Sequence, residues 1–382
     1  MLGFKNVNVY VEGKGIIKTS IGVENGKIVA IGDNLELEEY AKLPNDALVA
    51  PGFIDQHIHG AMGSDAMDGT IKDLENIAVG LAKEGTTAFL ATTMTQSVEN
   101  ISKALKNVDD YMKLNKEEGA KVLGVHLEGP FISPLHVGAQ PIEYVQAPSV
   151  ENFKVYEKAS GNRIKEVTLA PEIEGALDLI KYLKEKHIVA SIGHTAAGFS
   201  DCEKAVLAGA SNVTHTYNAQ KALHHREVGT VGSAMLFDEL NCELICDTIH
   251  VSVPAIKLVI KNKPADKVTL ITDAMRAKGM PDGDYELGGQ PVIVKNKEAR
   301  LENGTLAGSV LLMKDAIKNV HQKCGIELTK VIDMATINPA KNLGLDRERG
   351  SIKVGKVADF AIINKEFEVL LTIRDGKIIY KK

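Results

Sequence analysis

The sequence has no apolar run approaching the roughly 20 residues that a membrane-spanning helix needs, so it does not read as a helical membrane protein. Positive charge is not in excess: 45 Lys and Arg stand against 50 Asp and Glu, giving a net charge of -5 and a pI near 6.2. That balance gives no support for a nucleic-acid or polyanion binder, although it leaves room for a local basic spot. The chain does not open on a basic segment followed by an apolar one. Its first residues, MLGFKNVNVYVEGKG, alternate as a strand does, and no secretory signal is expected. The 4 cysteines, Cys202, Cys242, Cys246 and Cys324, lack any paired CxxC spacing. Cys242 and Cys246 fall on one face of an expected strand, where packed core thiols are found, and a reducing cytoplasm is the expected compartment. Low-complexity segments and motif repeats are also missing. No GxGxxG follows the first long strand, which counts against an open dinucleotide-binding sheet.

What is present is an ordinary globular composition, 44% apolar and 25% charged over 382 residues, enough for one large domain and a smaller one. Both ends are β-rich. Residues 1–50 break into short strands (FKNVNVYV, GIIKTSIGVE, GKIVAIG, DALVAPG), and the last thirty or so do the same (GKVADFAIIN, FEVLLTIRDG, KIIYKK). Between them the grammar is strand, loop, helix, repeated. Apolar strands are expected at 48–57, 86–92, 121–128, 166–171, 188–193, 212–217, 242–248 and 268–273, separated by amphipathic segments such as 71–84, 174–186, 199–209 and 253–262. Eight strands alternating with helices predict an α/β fold, a parallel (β/α)8 TIM-type barrel. We place it at 51–344, with 1–50 and 345–382 folding together as a small β-sandwich domain. A Gly-rich stretch at 281–307 is expected to insert a hairpin before helices at 310–323 and 328–336.

In such a barrel the C-terminal strand ends build the site. The first strand closes in PGFIDQHIH (51–59), where alternation puts His57 and His59 on one face. Paired imidazoles at a strand end suit zinc or iron. Later ends present His126 and Glu128 (HLEGPF), His194 (SIGHT), His215 and Asn218 (THTYNA), Asp247 and His250 (CDTIHV) and Asp273 (ITDAM). Singly each has an ordinary explanation: Glu128 as a cap or lysine partner, His194 as a hydrogen-bonded loop residue, Asp273 as an N-cap. Together they crowd one rim. Two His and one Glu would leave a zinc-like ion an open position for water, whose pKa it lowers towards neutrality, with an aspartate nearby to move protons.

PGFID-xHxH, HLEGPF, GHT, THxYNA, HREVG, ITDAM, LAGS and GKVADF together resemble the amidohydrolase superfamily, and within it the N-acetylglucosamine-6-phosphate deacetylase family, from about residue 5 to residue 380. The resemblance implies hydrolysis of the N-acetyl group of an amino-sugar 6-phosphate. A metal-activated water attacks the acetamide carbonyl, and Asp273 serves as general acid/base. It implies a divalent metal, one or two per subunit, zinc or iron, with the principal ion on Glu128, His194 and His215. Glu128 stands where many relatives use a carbamylated lysine. His250 would hydrogen-bond the sugar or polarise the acetamide carbonyl. Asn218 and Ala219 would bind the phosphate, as would Arg226, reaching across from the partner subunit of a homodimer. Some members lack the HxH histidines and carry one metal; the presence of His57 and His59 points to a second. Some place a histidine after HLEGPF where this chain reads GAQ, which makes Gln140 a substrate contact with altered hydrogen-bonding capacity. The competing readings are the N-acetylgalactosamine 6-phosphate epimer, another amidohydrolase acting on a cyclic amide, and a non-catalytic sugar-phosphate-binding protein. The carboxylate in place of a carbamylated lysine disfavours the cyclic amide, and the retained Asp273 disfavours a mere binder.

Overall fold

The computed structural model describes residues 1–382. Eight parallel strands follow one another in sequence order around one sheet: Phe53–Ile58, Thr86–Thr92, Lys121–Glu128, Ile164–Leu169, Val189–Ile192, Asn212–Val213, Asn241–Ile245 and Val268–Ile271. Helices cover the outside and side chains fill the inside, so strands such as Thr86–Thr92 are buried along their whole length. Burial on both faces is why they read as apolar runs. The helices turn one stripe inward: in Ile71–Ala82, Leu74, Ile77, Ala78 and Leu81 are buried, and the Thr70 side chain caps the first turn at Asp73 N.

The sheet is nearly closed into a barrel. Between the last strand and the first, the buried carboxylate of Asp55 does the joining, accepting from Thr272 N at 3.2 Å and Thr272 Oγ1 at 2.5 Å. At the rim, Asp273 N donates to His57 O at 2.9 Å.

The expected strand 48–57 is in fact two. Leu48–Pro51 belongs to the sheet made by the chain ends, and the barrel strand begins only at Phe53. The crossing falls at Pro51 and Gly52. Proline cannot donate to a ladder, and a Cβ on Gly52 would come within 2.2 Å of Thr87 Oγ1. The strand expected over 212–217 likewise stops at Val213, leaving THTYNA to turn across the barrel mouth.

Both chain ends share one sheet, ordered Lys377–Lys381, Val369–Arg374, Phe360–Ile363, Leu48–Pro51, Leu2–Val11, Gly15–Glu24 and Lys27–Gly32. Period-two alternation divides its faces. Val49, Phe360 and Ile362 pack with Phe4, Val9 and Ile21 in a small core of their own, whereas Leu48, Ala50, Ala361 and Ile363 join the barrel core. The insertion expected as a hairpin has a third strand: Gly283–Leu287, Gln290–Lys295 and Glu298–Arg300 form an antiparallel sheet. Its Leu287, Val292 and Val294 pack on Met94 and Met275, which carries it over the barrel mouth. No helix is long and apolar enough to cross a membrane.

Candidate metal centre and active site

The first barrel strand does not keep its alternation. Its pairing with Thr86–Thr92 slips between Asp55 and Ile58. In consequence the adjacent side chains of Gln56 and His57 both face the barrel interior and reach the same carboxylate, Glu243, at 2.7 and 3.1 Å. His59 follows just beyond the strand. The later candidate site residues leave their strands through strained backbone: His194 (φ 47°), His215 (φ 29°), Ala219 (φ 49°) and Asp273 (φ 47°) all occupy the left-handed region. Non-glycine residues in that region carry strain that the surroundings must hold, and such strain collects at functional sites.

These ends meet at Glu128. Its Oε1 lies 3.2 Å from His194 Nε2 and 3.0 Å from His215 Nε2, and those two nitrogens are 3.0 Å apart. A tetrahedral ion with metal–nitrogen bonds of about 2.0–2.1 Å spaces its ligands by about 3.3 Å, so the triangle has the size of a metal site. A second set lies beside it. His57 Nε2 is 3.4 Å from Glu128 Oε1, His59 Nε2 is 3.2 Å from Glu128 Oε2, and both nitrogens lie 3.2–3.3 Å from Asp273 Oδ1. Each trio, His57–His59–Glu128 and Glu128–His194–His215, could hold an ion, with Glu128 common to both. The buried Nε2 of His57 has no hydrogen-bond partner. An ion among these lone pairs would supply what it lacks.

Above the ligands opens a cleft of about 330 Å³, lined by Met94, Gln140, Asn218, Ala219, His250 and, from the insertion, Leu287, Arg300, Thr305 and Leu306. Gln140 donates to Glu128 Oε2 at 2.8 Å and accepts from Thr95 N at 2.7 Å, so it braces the bridging carboxylate as well as facing the cleft. His250 is held by Asp247, whose Oδ2 is 2.6 Å from Nδ1. Arg226 does not enter the cleft of its own chain. It is exposed in a loop beside His225, with Nη1 2.8 Å from His225 Nε2.

Residues 48–379 match the amidohydrolase family. The chain belongs to that family. It is 42% identical to the N-acetylglucosamine-6-phosphate deacetylase of Bacillus subtilis, over 98% of this chain and 96% of the relative. It is 37% identical to the N-acetylgalactosamine-6-phosphate deacetylase of Escherichia coli O157:H7, over 84% and 85%. The crystal structure of the N-acetylglucosamine-6-phosphate deacetylase of Thermotoga maritima superposes over the full length of both chains, with a TM-score of 0.90 at 35% identity.

The electrostatics of this amidohydrolase ask for a cation. Burial alone would neutralise every group in the centre. Against it, the carboxylates of Glu128 and Asp273 push His57 well above the ordinary histidine value and His59 up to about 9. In return, against the same burial, His57 holds Glu128 and Asp273 well below the usual carboxylate range, helped by His194 and His215 at Glu128 and by His59 at Asp273. Without an ion, therefore, the two carboxylates favour the protonated form of both histidines. Beneath them, against burial, the His57 imidazole holds Glu243 well below the usual carboxylate range, while burial and the neighbouring Glu243 charge push Glu166 far up.

Sequence reasoning singled out neither Glu243 nor Arg300. Glu243 was visible only as one acid inside the apolar strand NCELI, and its partner His57 is 186 residues away. The cleft role of Arg300 follows from how the insertion folds back, which no local pattern announces. His126 turns into the barrel, its Nε2 2.7 Å from Thr168 Oγ1 and its ring edge-on to His57. Burial, with His57 beside it, lowers its pKa to about 3, so it stays neutral at physiological pH.

Proposed function

We propose that this chain hydrolyses N-acetyl-D-glucosamine 6-phosphate to D-glucosamine 6-phosphate and acetate, in the breakdown of amino sugars. The observation that carries the reading is the meeting of four histidines, Glu128 and Asp273 at the floor of one cleft, in a chain similar over nearly its whole length to enzymes named for this reaction.

Glu128, His194 and His215 would hold the principal divalent ion, and His57, His59 and Glu128, with Asp273 alongside, a second. When bound, zinc or iron supplies a Lewis acid and a water of lowered pKa. The remaining work falls to the chain. Asp273, placed against both HxH imidazoles, accepts the proton of the attacking water and returns it to the nitrogen as the C–N bond breaks. His250, oriented by Asp247, donates towards the acetamide carbonyl or a sugar hydroxyl. Asn218 and Ala219 bind the phosphate end, and Arg226 of a partner subunit completes it as a homodimer forms, its guanidinium forking onto phosphate oxygens. Gln140 holds Glu128 and faces the substrate. The 4 thiols, all free and buried, support a reducing cytoplasmic setting.

Acetate release from N-acetylglucosamine 6-phosphate by the metal-replete protein tests the reading, and no acetate would sink it. The galacto epimer is a second reading, favoured by the resemblance to the Escherichia coli enzyme. Kinetics on the two sugars side by side decide between them.

A further inference from the structure

We infer that Glu243 is the positioning residue that makes His57 a metal ligand and ties the two ligand trios together. The inference rests on the reading of His57, His59 and Glu128 as a second cation position. Glu243 is fully buried and receives four donors. Its Oε1 accepts from Gln56 Nε2 at 2.7 Å and Asn212 Nδ2 at 3.0 Å; its Oε2 accepts from His57 Nδ1 at 3.1 Å and from the backbone N of His215 at 3.2 Å. A carboxylate only accepts, so a proton of His57 sits on Nδ1, and Nε2, facing Glu128 and Asp273, is the nitrogen left to take a further proton or an ion. A carboxylate behind a metal-binding imidazole fixes its tautomer and ring plane and raises its basicity.

The other three imidazoles lack such a support. His194 Nδ1 donates to the backbone carbonyl of His136, and His59 Nδ1 and His215 Nδ1 have no hydrogen-bond partner. The same Glu243 oxygen also holds the strained backbone of His215, a member of the other trio. One carboxylate therefore sets a ligand in each half of the centre. It also explains the slipped register of the first strand, since regular alternation would turn either Gln56 or His57 away from it.

Glu243→Gln keeps the shape but cannot keep the bonds. Its NH₂ would face either Gln56 and Asn212 or His57 and His215, donors on both sides, with the Glu166 carboxyl beside Glu243 as the one neighbouring acceptor. Gln56 and Asn212 cannot readily turn to accept it, because their own oxygens already receive Asn342 Nδ2 at 3.3 and 3.4 Å, and Asn212 also Asn241 Nδ2 at 2.6 Å.

The test titrates metal-stripped full-length protein with Zn²⁺ against a competing chelator, in a cycle of wild type, Glu243→Gln, His57→Ala and the double variant. We expect two equivalents in the wild type. In Glu243→Gln the second equivalent should bind about 10- to 100-fold more weakly, and the first, whose His215 Glu243 holds only at the backbone N, much less so. In the His57→Ala background Glu243→Gln should keep only its small effect on the first equivalent, because its route through His57 is gone. Equal losses in both backgrounds would show a merely structural role and overturn the inference. So would two equivalents of wild-type affinity in Glu243→Gln. A wild type that takes one equivalent, unchanged by His57→Ala, overturns the reading of the second position and the inference with it. If Glu243→Gln does not give a native circular dichroism spectrum, Glu243→Asp enters the same cycle under the same criteria.

Discussion

Removing the metal should make the protein's stability depend on pH in a window where the loaded protein is indifferent. In the ion-free centre, burial works against a charge on His59, but the carboxylates of Asp273 and Glu128 outweigh it and raise its pKa to about 9. In the unfolded chain a histidine titrates near 6.5. The folded pKa is the higher one, so this contribution is fully present below about 6.5 and is lost as pH rises through about 9. A gap of about 2.5 units at 1.36 kcal/mol each is on the order of 3 kcal/mol. With an unfolding entropy near 2 cal/mol/K per residue, a chain of 382 residues loses about 1 °C of Tm per kcal/mol. The chelator-treated protein should therefore melt roughly 3–4 °C lower at pH 9.5 than at pH 6.5, beyond any drift of the Zn²⁺-loaded form, in which the ion replaces the protons. The sequence has no tryptophan, so circular dichroism is the natural probe. Parallel curves for stripped and loaded protein, or a stripped protein that gains stability towards pH 9, would refute the electrostatic account of the centre.

Two substitutions separate the roles proposed for the cleft. Asp273→Asn should lower kcat by about 10²–10⁴ while the ion on Glu128, His194 and His215 is retained; turnover within tenfold of wild type would remove Asp273 as the acid/base. Arg226→Ala should raise KM for the sugar phosphate by about 10- to 100-fold, the worth of a charged hydrogen bond of roughly 1.5–3 kcal/mol, and leave kcat closer to wild type. Mixing Arg226→Ala with Asp273→Asn protein should restore activity, since hybrid dimers contain one site with both residues. Activity no greater than that of the two variants assayed apart would show that Arg226 does not cross to a partner.

The barrel was legible in the sequence because strands buried on both faces must be apolar throughout, and helices packed on one side must carry a stripe. The candidate ligands were legible because His, Glu and Asp stand where such strands end, and the fold alone brings those ends together. The boundaries were less so. LVAPGFIDQH reads as one strand, yet Pro51 and Gly52 move the chain from one sheet to another, and only the tight approach of Thr87 to Gly52 shows why.

The centre itself is where local rules stop working. Alternation assigns Gln56 to the face opposite His57, whereas the slipped register turns both inward. At positions 194, 215 and 273 themselves no residue type announces a left-handed backbone, a signal that glycine or asparagine usually gives. Yet His194, His215 and Asp273 all adopt it. What holds them there is tertiary: Asp273 N on His57 O, His215 N on Glu243, and His194 Nδ1 on the carbonyl of His136. Each of these bonds joins segments far apart in the chain, so a window of sequence contains at most one partner. Relaxing any one of the three residues would swing a candidate ligand atom away from Glu128 or Asp273, and the candidate cation position built on 3.0–3.4 Å spacings would open. The strain and the chemistry are thus held by the same few contacts, and for that reason the residue types in this centre could be read from the sequence but its geometry could not.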